Sequence, residues 1–530
     1  MQRPSRHSNA PKTSEIFQSR KEFFQKLSKK YIGSNKTPIY VHVAGTKGKG
    51  STVAYIAAAL NAAGKKVGVF TSPHLHTACE RIKIGNQIID KSDVIRLGTW
   101  VIQEMKDESW CVFFDLFLAI ALRYFHENEV EYILLETGIG GRYDSTNFLD
   151  EVGLAVITSI SIDHQAVLGN TIEEIAKQKA GIVKQNCKLV TTSKQVESVT
   201  RVLQKECEDK NAECLTAQPD ADMLHDAGIP ATHDVEIENA CLAYTALKEL
   251  DISPTGMKDA FWPCRMEKFR INDIDIILDG CHNEDSVTHF IRSVKQMYKI
   301  SSTDNNGSNG NMFNRMLSFK WNSREKSTEN NKSKEENTEL ITLFGGGQDK
   351  SLSPMLEVVA RESHQLVLTQ SSHFRAADEK MLQQSLPVAY KHKIQSYRSE
   401  GNESGDYNND SNSNSTSKGN SKGKDEIKKI PQPEDSKGKG NVADSLRQCI
   451  AELSTWSTIE VSEAGGNNDA DADAEYSGKG NGKDKSRRVA RKVVVVCGSL
   501  FGAAEAREAL YAMKPDLFDK DDWVRMKDDV

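Results

Sequence analysis

One stretch limits the folds open to this chain more than any other: Val43-Ala-Gly45-Thr46-Lys47-Gly48-Lys49-Gly50-Ser51-Thr52. It continues the short apolar run Ile39–Val43 and leads into the Ala-rich segment Ser51–Ala63. Strand, glycine-rich turn and helix in that order make a phosphate-binding unit. Glycines let backbone N–H groups turn toward phosphate oxygens, and the helix N-terminus adds its dipole. Lys49 is placed to neutralise β- and γ-phosphates, and Ser51 to offer a hydroxyl to a metal. The pattern departs from the common G-x-x-x-x-G-K-[ST], because Val43 stands where the first glycine belongs and Gly50 is inserted between Lys49 and Ser51. Without its flanks the stretch reads as a glycine-rich surface turn; the strand and helix favour nucleotide binding.

The rest of the chain repeats the strand-then-helix theme over residues 15–300. Val67–Thr71, Tyr132–Glu136 and Leu154–Ser159 have the continuous apolar character of parallel strands. Trp100–Lys106 falls in a helix, Phe114–Phe125 is a buried helix, and Thr171–Gly181 is a helix closed by glycine. A second alternation runs through Ile274–Leu278, Leu340–Phe344, Leu366–Thr369 and Val493–Cys497. The expected architecture is α/β: an N-terminal doubly wound sheet domain holding the phosphate loop (19–268), preceded by a flexible tail (1–18), and a smaller Rossmann-like C-terminal domain (269–530). Three stretches, Ser301–Glu339, Glu400–Asn441 and Glu463–Arg488, are nearly free of apolar residues and read as disordered inserts in surface loops.

Those inserts account for a hydrophobic content of only 38% in 530 residues. The net charge of −6, without a dense basic stripe, speaks against a nucleic-acid partner. The 10 cysteines form no C-x-x-C pair and fit reduced thiols in a cytosolic-type compartment. No apolar run approaches the ~20 residues that cross a bilayer, so no membrane role is expected. The N-terminus is basic with serines but carries Glu15 and Glu22. A frayed polar tail is the favoured reading, with a short transit peptide, and so a mitochondrial location, left open.

Further motifs follow in a fixed order. They are Thr71-Ser72-Pro73-His74-Leu75 with Glu80-Arg81-Ile82; Glu136-Thr137-Gly138-Ile139-Gly140-Gly141-Arg142 running to Asp144-Ser145-Thr146-Asn147; and Ile162-Asp163-His164 with Leu168-Gly169-Asn170-Thr171-Ile172 and Lys179-Ala180-Gly181-Ile182. Later come Glu238-Asn239-Ala240, Pro263-Cys264-Arg265, Leu278-Asp279-Gly280-Cys281-His282-Asn283, Phe344-Gly345 to Asp349-Lys350, and Cys497-Gly498-Ser499-Leu500. With the variant phosphate loop, this series resembles the folylpolyglutamate synthase and dihydrofolate synthase branch of the Mur-ligase-like proteins, from about Ser19 to Met513 without the inserts. Cys264 and Cys281 replace a glycine and an alanine of the family pattern, Glu284 a common proline, and Phe374-Arg375 stands where Pro-Arg is usual. None of these departures removes a charged or metal-ligating group.

The resemblance implies an ATP- and magnesium-dependent ligase joining L-glutamate to a pterin acid through an acyl phosphate. It implies nucleotide binding by Gly45, Thr46, Gly48, Lys49, Gly50, Ser51, Thr52, Asn239, Arg265 and Asp279. Catalytic roles fall on Lys49, Asp279 and His282, and substrate binding on His74 and Arg81. Metal ligation falls on Ser72, Glu136 and His164, with a second ion on Lys179 if that lysine is carbamylated. Read alone, the residues say less. A glutamate closing an apolar strand is costly to bury without a partner, which marks Glu136. His164 is balanced between ligand and structural histidine, Ser72 reads as a turn residue, and Lys179 as a solvated helix-end lysine beside Lys177 and Lys184. Arg265 could be an ion-pair partner and Asp279 a strand-end cap, but function is the favoured reading of both. Partners are small molecules, a folate or dihydropteroate and glutamate, acted on by a monomer. Two other readings stay open: a dihydrofolate synthase alone, or a P-loop nucleotide hydrolase or binding module whose ATP hydrolysis ignores glutamate.

Overall fold

A computed structural model describes residues 13–31, 37–229, 234–300, 338–395, 441–464 and 491–518. Two compact units emerge, one of Met1–Glu267 with Thr288–Ser301 and Leu510–Val530, the other of Lys268–Val287 with Ser302–Ala509.

The first unit is built on β1 (Ile39–Ala44), β2 (Val67–Phe70), β3 (Ile82–Ile84), β4 (Gln87–Ile88), β5 (Tyr132–Glu136), β6 (Leu154–Ile157), β7 (Lys188–Thr192) and β8 (Glu213–Ala217). They form one sheet in the order β4-β3-β2-β5-β1-β6-β7-β8. The run from β2 to β8 is parallel, while β3 and β4 are antiparallel additions at the edge. Alternate residues serve opposite faces, as the pleat demands. Val41 and Val43 join Val69, Leu134 and Val156 under the helices Lys49–Ala62 and Asp234–Glu249, packing on Ile56, Leu60, Ala243 and Leu247. Tyr40 and Ala44 face the other core with Phe70, Leu135 and Ile157, covered by Phe117 and Phe125 of the helix Phe113–Glu127. A strand apolar on both faces is what a doubly wound parallel sheet requires.

The second unit holds β9 (Glu267–Ile271), β10 (Ile274–Leu278), β11 (Thr338–Phe344), β12 (Gln365–Leu368) and β13 (Arg491–Cys497) in the order β12-β11-β13-β10-β9. β10, β13, β11 and β12 run parallel. The expected α/β class with a second, smaller sheet is the observed one.

Several expectations need correction. A helix occupies Thr13–Tyr31, beginning inside the stretch expected to be a tail, and its Phe24 and Leu27 are buried. Strand β11 starts at Thr338, Asn441 bridges to Gln370 and the helix Val442–Ala464 ends at Ala464, trimming each of the three inserts by a residue or two. Their remainder lies outside the described residues. Helix Lys91–Glu104 stops before the expected Lys106. Gly181 does follow the helix Ile172–Ala180, but in the right-handed region at φ −59°, so a left-handed cap is not its purpose. It is small because a Cβ there would meet Arg142 Cα at 2.5 Å. Among the described residues no helix is long and apolar enough to cross a membrane. All ten cysteines are free thiols.

Candidate active site

Register decides where the site forms. Phe70 lies beside Leu135, Glu136 beside Val43, and Ala44 beside Ile157. The segments that follow β2, β5, β1 and β6 therefore leave the sheet at one edge, the carboxyl end where α/β sheets collect ligands.

The phosphate loop is fastened to its neighbour. Thr46 N–H donates to Ser159 O (2.9 Å), while Thr46 Oγ1 donates to Ser161 O and accepts from Ser161 N, each at 3.1 Å. The helix begins at Lys49, two residues earlier than expected, after Gly48 at φ 82°. Gly48 is required twice: the left-handed conformation disfavours a side chain, and a Cβ would fall 2.0 Å from Asn239 Oδ1. Asn239, expected to touch nucleotide, thus abuts the loop. Ser51 is half-buried, and Thr52 is fully buried with its N–H donating to Gly48 O.

Two ammonium groups converge on one carbonyl. Lys179 Nζ donates to Gly45 O at 2.7 Å and Lys49 Nζ at 3.3 Å. Lys179 is 3% exposed, so the solvated helix-end reading is wrong; it points inward. Burial, helped by the Lys49 charge, lowers its pKa to about 7. Lys49 Nζ also stands 3.9 Å from Glu136 Oε1, and Glu136 Oε2 accepts the Ser72 N–H at 3.0 Å. Burial raises the Glu136 pKa, against which Lys49, the Ser72 amide, Arg265 and Arg81 favour the carboxylate.

The strap after Ser72 is pinned by Glu80, whose carboxylate accepts the amides of Leu75, His76 and Thr77 at 2.7 Å each. Arg81 Nε donates to His74 Nδ1 at 2.9 Å, which fixes His74 neutral; burial first and the Arg81 charge second push it to about 4. The Arg81 guanidinium lies 5.3 Å from the centroid of the half-exposed Phe113 ring. The turn after Glu136 is held by Asp144, whose Oδ2 accepts the Gly138 and Ile139 amides at 3.0 Å each. Its Oδ1 accepts Thr146 Oγ1–H, and that hydroxyl meets His42 Nε2 at 2.8 Å. Burial drives His42 down to about 3, so it is neutral. Sequence reading found the motifs containing Glu80 and Asp144 but not their work as clamps. The only signal was an acid spaced a few residues from a run of turn residues.

His164 is not at a strand end. Residues 158–163 separate it from β6, and it takes φ 51° before the short helix Gln165–Leu168, with Nε2 3.6 Å from Asp163 Oδ2. Arg265 is exposed near the end of the first unit. Cys264 before it takes φ 54°, which explains why the resembled motif has glycine at this position.

Asp279 and His282 belong to the second unit. Asp279 N–H donates to Val496 O at 3.1 Å, and Asp279 Oδ1 accepts the Cys281 amide at 2.8 Å. His282 Nδ1 lies 2.9 Å from Gly280 O. Ser286 Oγ accepts the His282 and Asn283 amides at 3.2 Å, while Asn283 Oδ1 accepts the Ser286 amide at 2.9 Å, a reciprocal cap on the helix Glu284–Tyr298.

Among the described residues no three His, Cys, Asp or Glu side chains are grouped to hold a metal by themselves. One buried carboxylate beside hydroxyls and a phosphate loop suits instead a hard cation that keeps waters and takes phosphate oxygens.

No family model matches the chain. It is 34% identical over 300 residues to the dihydrofolate synthase/folylpolyglutamate synthase of Bacillus subtilis, covering 49% of this chain and 68% of that protein. Mycobacterium tuberculosis folylpolyglutamate synthase complexed with ADP superposes with a TM-score of 0.62 at 18% identity, over 94% of each chain. A bifunctional folylpolyglutamate synthase/dihydrofolate synthase from Yersinia pestis, complexed with AMPPNP and a manganese ion, gives 0.61 at 19% identity, over 96% of this chain and 95% of that one. At such identities these structures establish a shared fold.

Proposed function

The chain belongs to the folylpolyglutamate synthase/dihydrofolate synthase family, and on that premise we propose that it joins L-glutamate to a folate-type acid at the expense of ATP. The carrying observation is Glu136, buried at the end of β5 between Lys49 and the Ser72 amide, beside the phosphate loop. An amide cannot form directly from a carboxylate. ATP converts it to an acyl phosphate, and the amino group of glutamate then displaces phosphate.

In this reading Lys49 neutralises charge on the transferring phosphoryl group. Gly45, Thr46, Gly48, Gly50, Ser51 and Thr52 line the phosphates, with Asn239 and Arg265 as further nucleotide contacts. His74 and Arg81 hold the acid substrate; a neutral imidazole locked to a guanidinium suits an anion. Asp279 and His282 keep the catalytic roles that the family resemblance implies. Magnesium supplies Lewis-acid neutralisation of the phosphates, and Ser72, Glu136 and His164 would hold it. Lys179, with a pKa of about 7, offers a neutral amine near physiological pH. That amine can take up carbon dioxide, release a proton and become a carbamate ligand for a second ion.

Purified protein given ATP, magnesium and labelled glutamate, with dihydropteroate and tetrahydrofolate in parallel, tests the proposal. Incorporation that requires both magnesium and a pterin acid is expected, and the two acids separate dihydrofolate synthesis from tail extension. ATP turnover indifferent to glutamate and pterin would sink the ligase reading.

A further inference from the structure

Residues 254–265 follow the phosphate-loop helix instead of leaving it. The turn Pro254–Asp259 packs on the far half of Lys49–Ala62, where a Cβ on Gly256 would lie 2.3 Å from Ala62 Cβ and 2.9 Å from Ala58 O. Trp262 then covers the helix's first turn. A Cβ on Gly50 would meet Trp262 Cζ2 at 2.5 Å and Cε2 at 2.8 Å. Gly50 is outside the left-handed region, so the ring, not the backbone, demands a residue without a side chain. The Lys83 ammonium stands 5.1 Å from the centroid of the same ring. Lys83 is buried on β3, and a cation on an indole face is attracted by the ring quadrupole. Arg265 is three residues further along.

We propose that Trp262 is a positioning residue for the nucleotide reaction. Seated on Gly50 and bearing Lys83 against its face, it sets how the first turn of the phosphate-loop helix, Lys83 and Arg265 are presented to the phosphates of ATP. The inserted glycine that breaks the common phosphate-loop pattern is the seat for this ring. The inference rests on the ATP-dependent reading above and adds a residue to it.

A double-mutant cycle tests it, with MgATP binding and steady-state kinetics as readouts. Gly50→Ala and Trp262→Leu should each raise KM for ATP about tenfold with a smaller change in kcat. The double variant should be no worse than Trp262→Leu alone, because removing the ring makes room for the added methyl. If the two effects multiply instead, Gly50 and Trp262 act independently and the proposal is overturned. A second measurement needs no harsh substitution: MgATP should shift the indole emission of the wild-type protein, and Trp262→Phe should lose that shift, leaving the other five of the 6 tryptophans silent. An equal shift in both proteins would also overturn it. Wild-type protein that fails to bind ATP overturns the ligase reading as well, whereas multiplying effects in a protein that binds ATP overturn only this one.

Discussion

Two strand-end loops hold residues proposed to carry the chemistry, and they are held in opposite ways. Around Gly45, two ammonium groups share one carbonyl and a buried carboxylate stands 3.9 Å from one of them. Around Gly280, the polar groups satisfy one another: Asp279 takes the Cys281 amide, the His282 ring meets Gly280 O, and Asn283 and Ser286 cap each other. The first loop is an electrostatic arrangement of Lys49, Lys179 and Glu136, in which burial disfavours the charged forms of the last two. The second is a hydrogen-bonded scaffold. Removing Lys49 from the first should therefore fall on turnover and leave stability nearly alone, whereas deletions in the second should fall on stability first.

The largest effect is expected at Lys49. Lys49→Ala should lower glutamate incorporation by about two to three orders of magnitude, as for a lost charge contact to a transferring group in a water-poor site. Its unfolding midpoint should move by no more than about 3 °C, because relief of the repulsion with Lys179 offsets the lost attraction to Glu136. A fall in midpoint large enough to explain the lost activity would erase the contrast between the loops. Next comes Lys179→Ala, expected to be nearly inactive and partly restored by added acetate or formate, which can supply the missing carboxylate oxygen. Activity equal to wild type would eliminate the carbamate and leave Ser72, Glu136 and His164 as the proposed ligands.

Most of this edge was legible in the sequence, for a reason the strands make clear. Tyr132–Glu136 and Ile39–Ala44 are buried except at Ile39 and, apart from His42 and Glu136, apolar on both faces, so their extent and ends show through. The antiparallel β3 and β4 were not foreseen, being two or three residues long and adjoining a turn. Nor was β8, whose ECLTA sequence at the sheet edge mixes polar and apolar residues. Lys179 could not be read as buried, because nothing in a helix-end lysine tells that Gly45 O lies above it. Trp262 escaped for the same reason, as its contact with Gly50 joins residues over two hundred positions apart. What depends on one segment's period is legible; what depends on two distant segments meeting is not.

The buried Lys179 also gives the first loop a pH signature. Its folded pKa of about 7 lies below the unfolded value of about 10.4. Between those values the unfolded chain binds a proton that the native protein does not, so stability rises with pH across that window. The cost of burying the charge is complete below pH 7 and gone above about 10.4. In carbon dioxide-free buffer, Lys179→Met should therefore gain more stability at pH 7 than at pH 9, by about 2 kcal/mol. Denaturant unfolding of both proteins at the two pH values measures the difference, and an equal gain at both would mean the lysine titrates normally.

The smallest effect tests the scaffold side of the comparison. Ser286 Oγ accepts two amides, His282 N–H and Asn283 N–H, and its own amide is received by Asn283 Oδ1. Ser286→Ala keeps the last bond and removes the first two, leaving two donors at a helix start to find water. A lost helix cap of this kind costs about 1 kcal/mol. No charge changes, so any loss of turnover must come through the freedom gained by His282. Turnover should fall a few-fold at most, with KM for ATP unchanged, while the unfolding midpoint drops measurably. Ser286→Thr, which restores the hydroxyl, should recover both. If Ser286→Ala instead abolishes turnover with the midpoint intact, the second loop is governed by ligand contacts as the first is, and the distinction between the two loops fails.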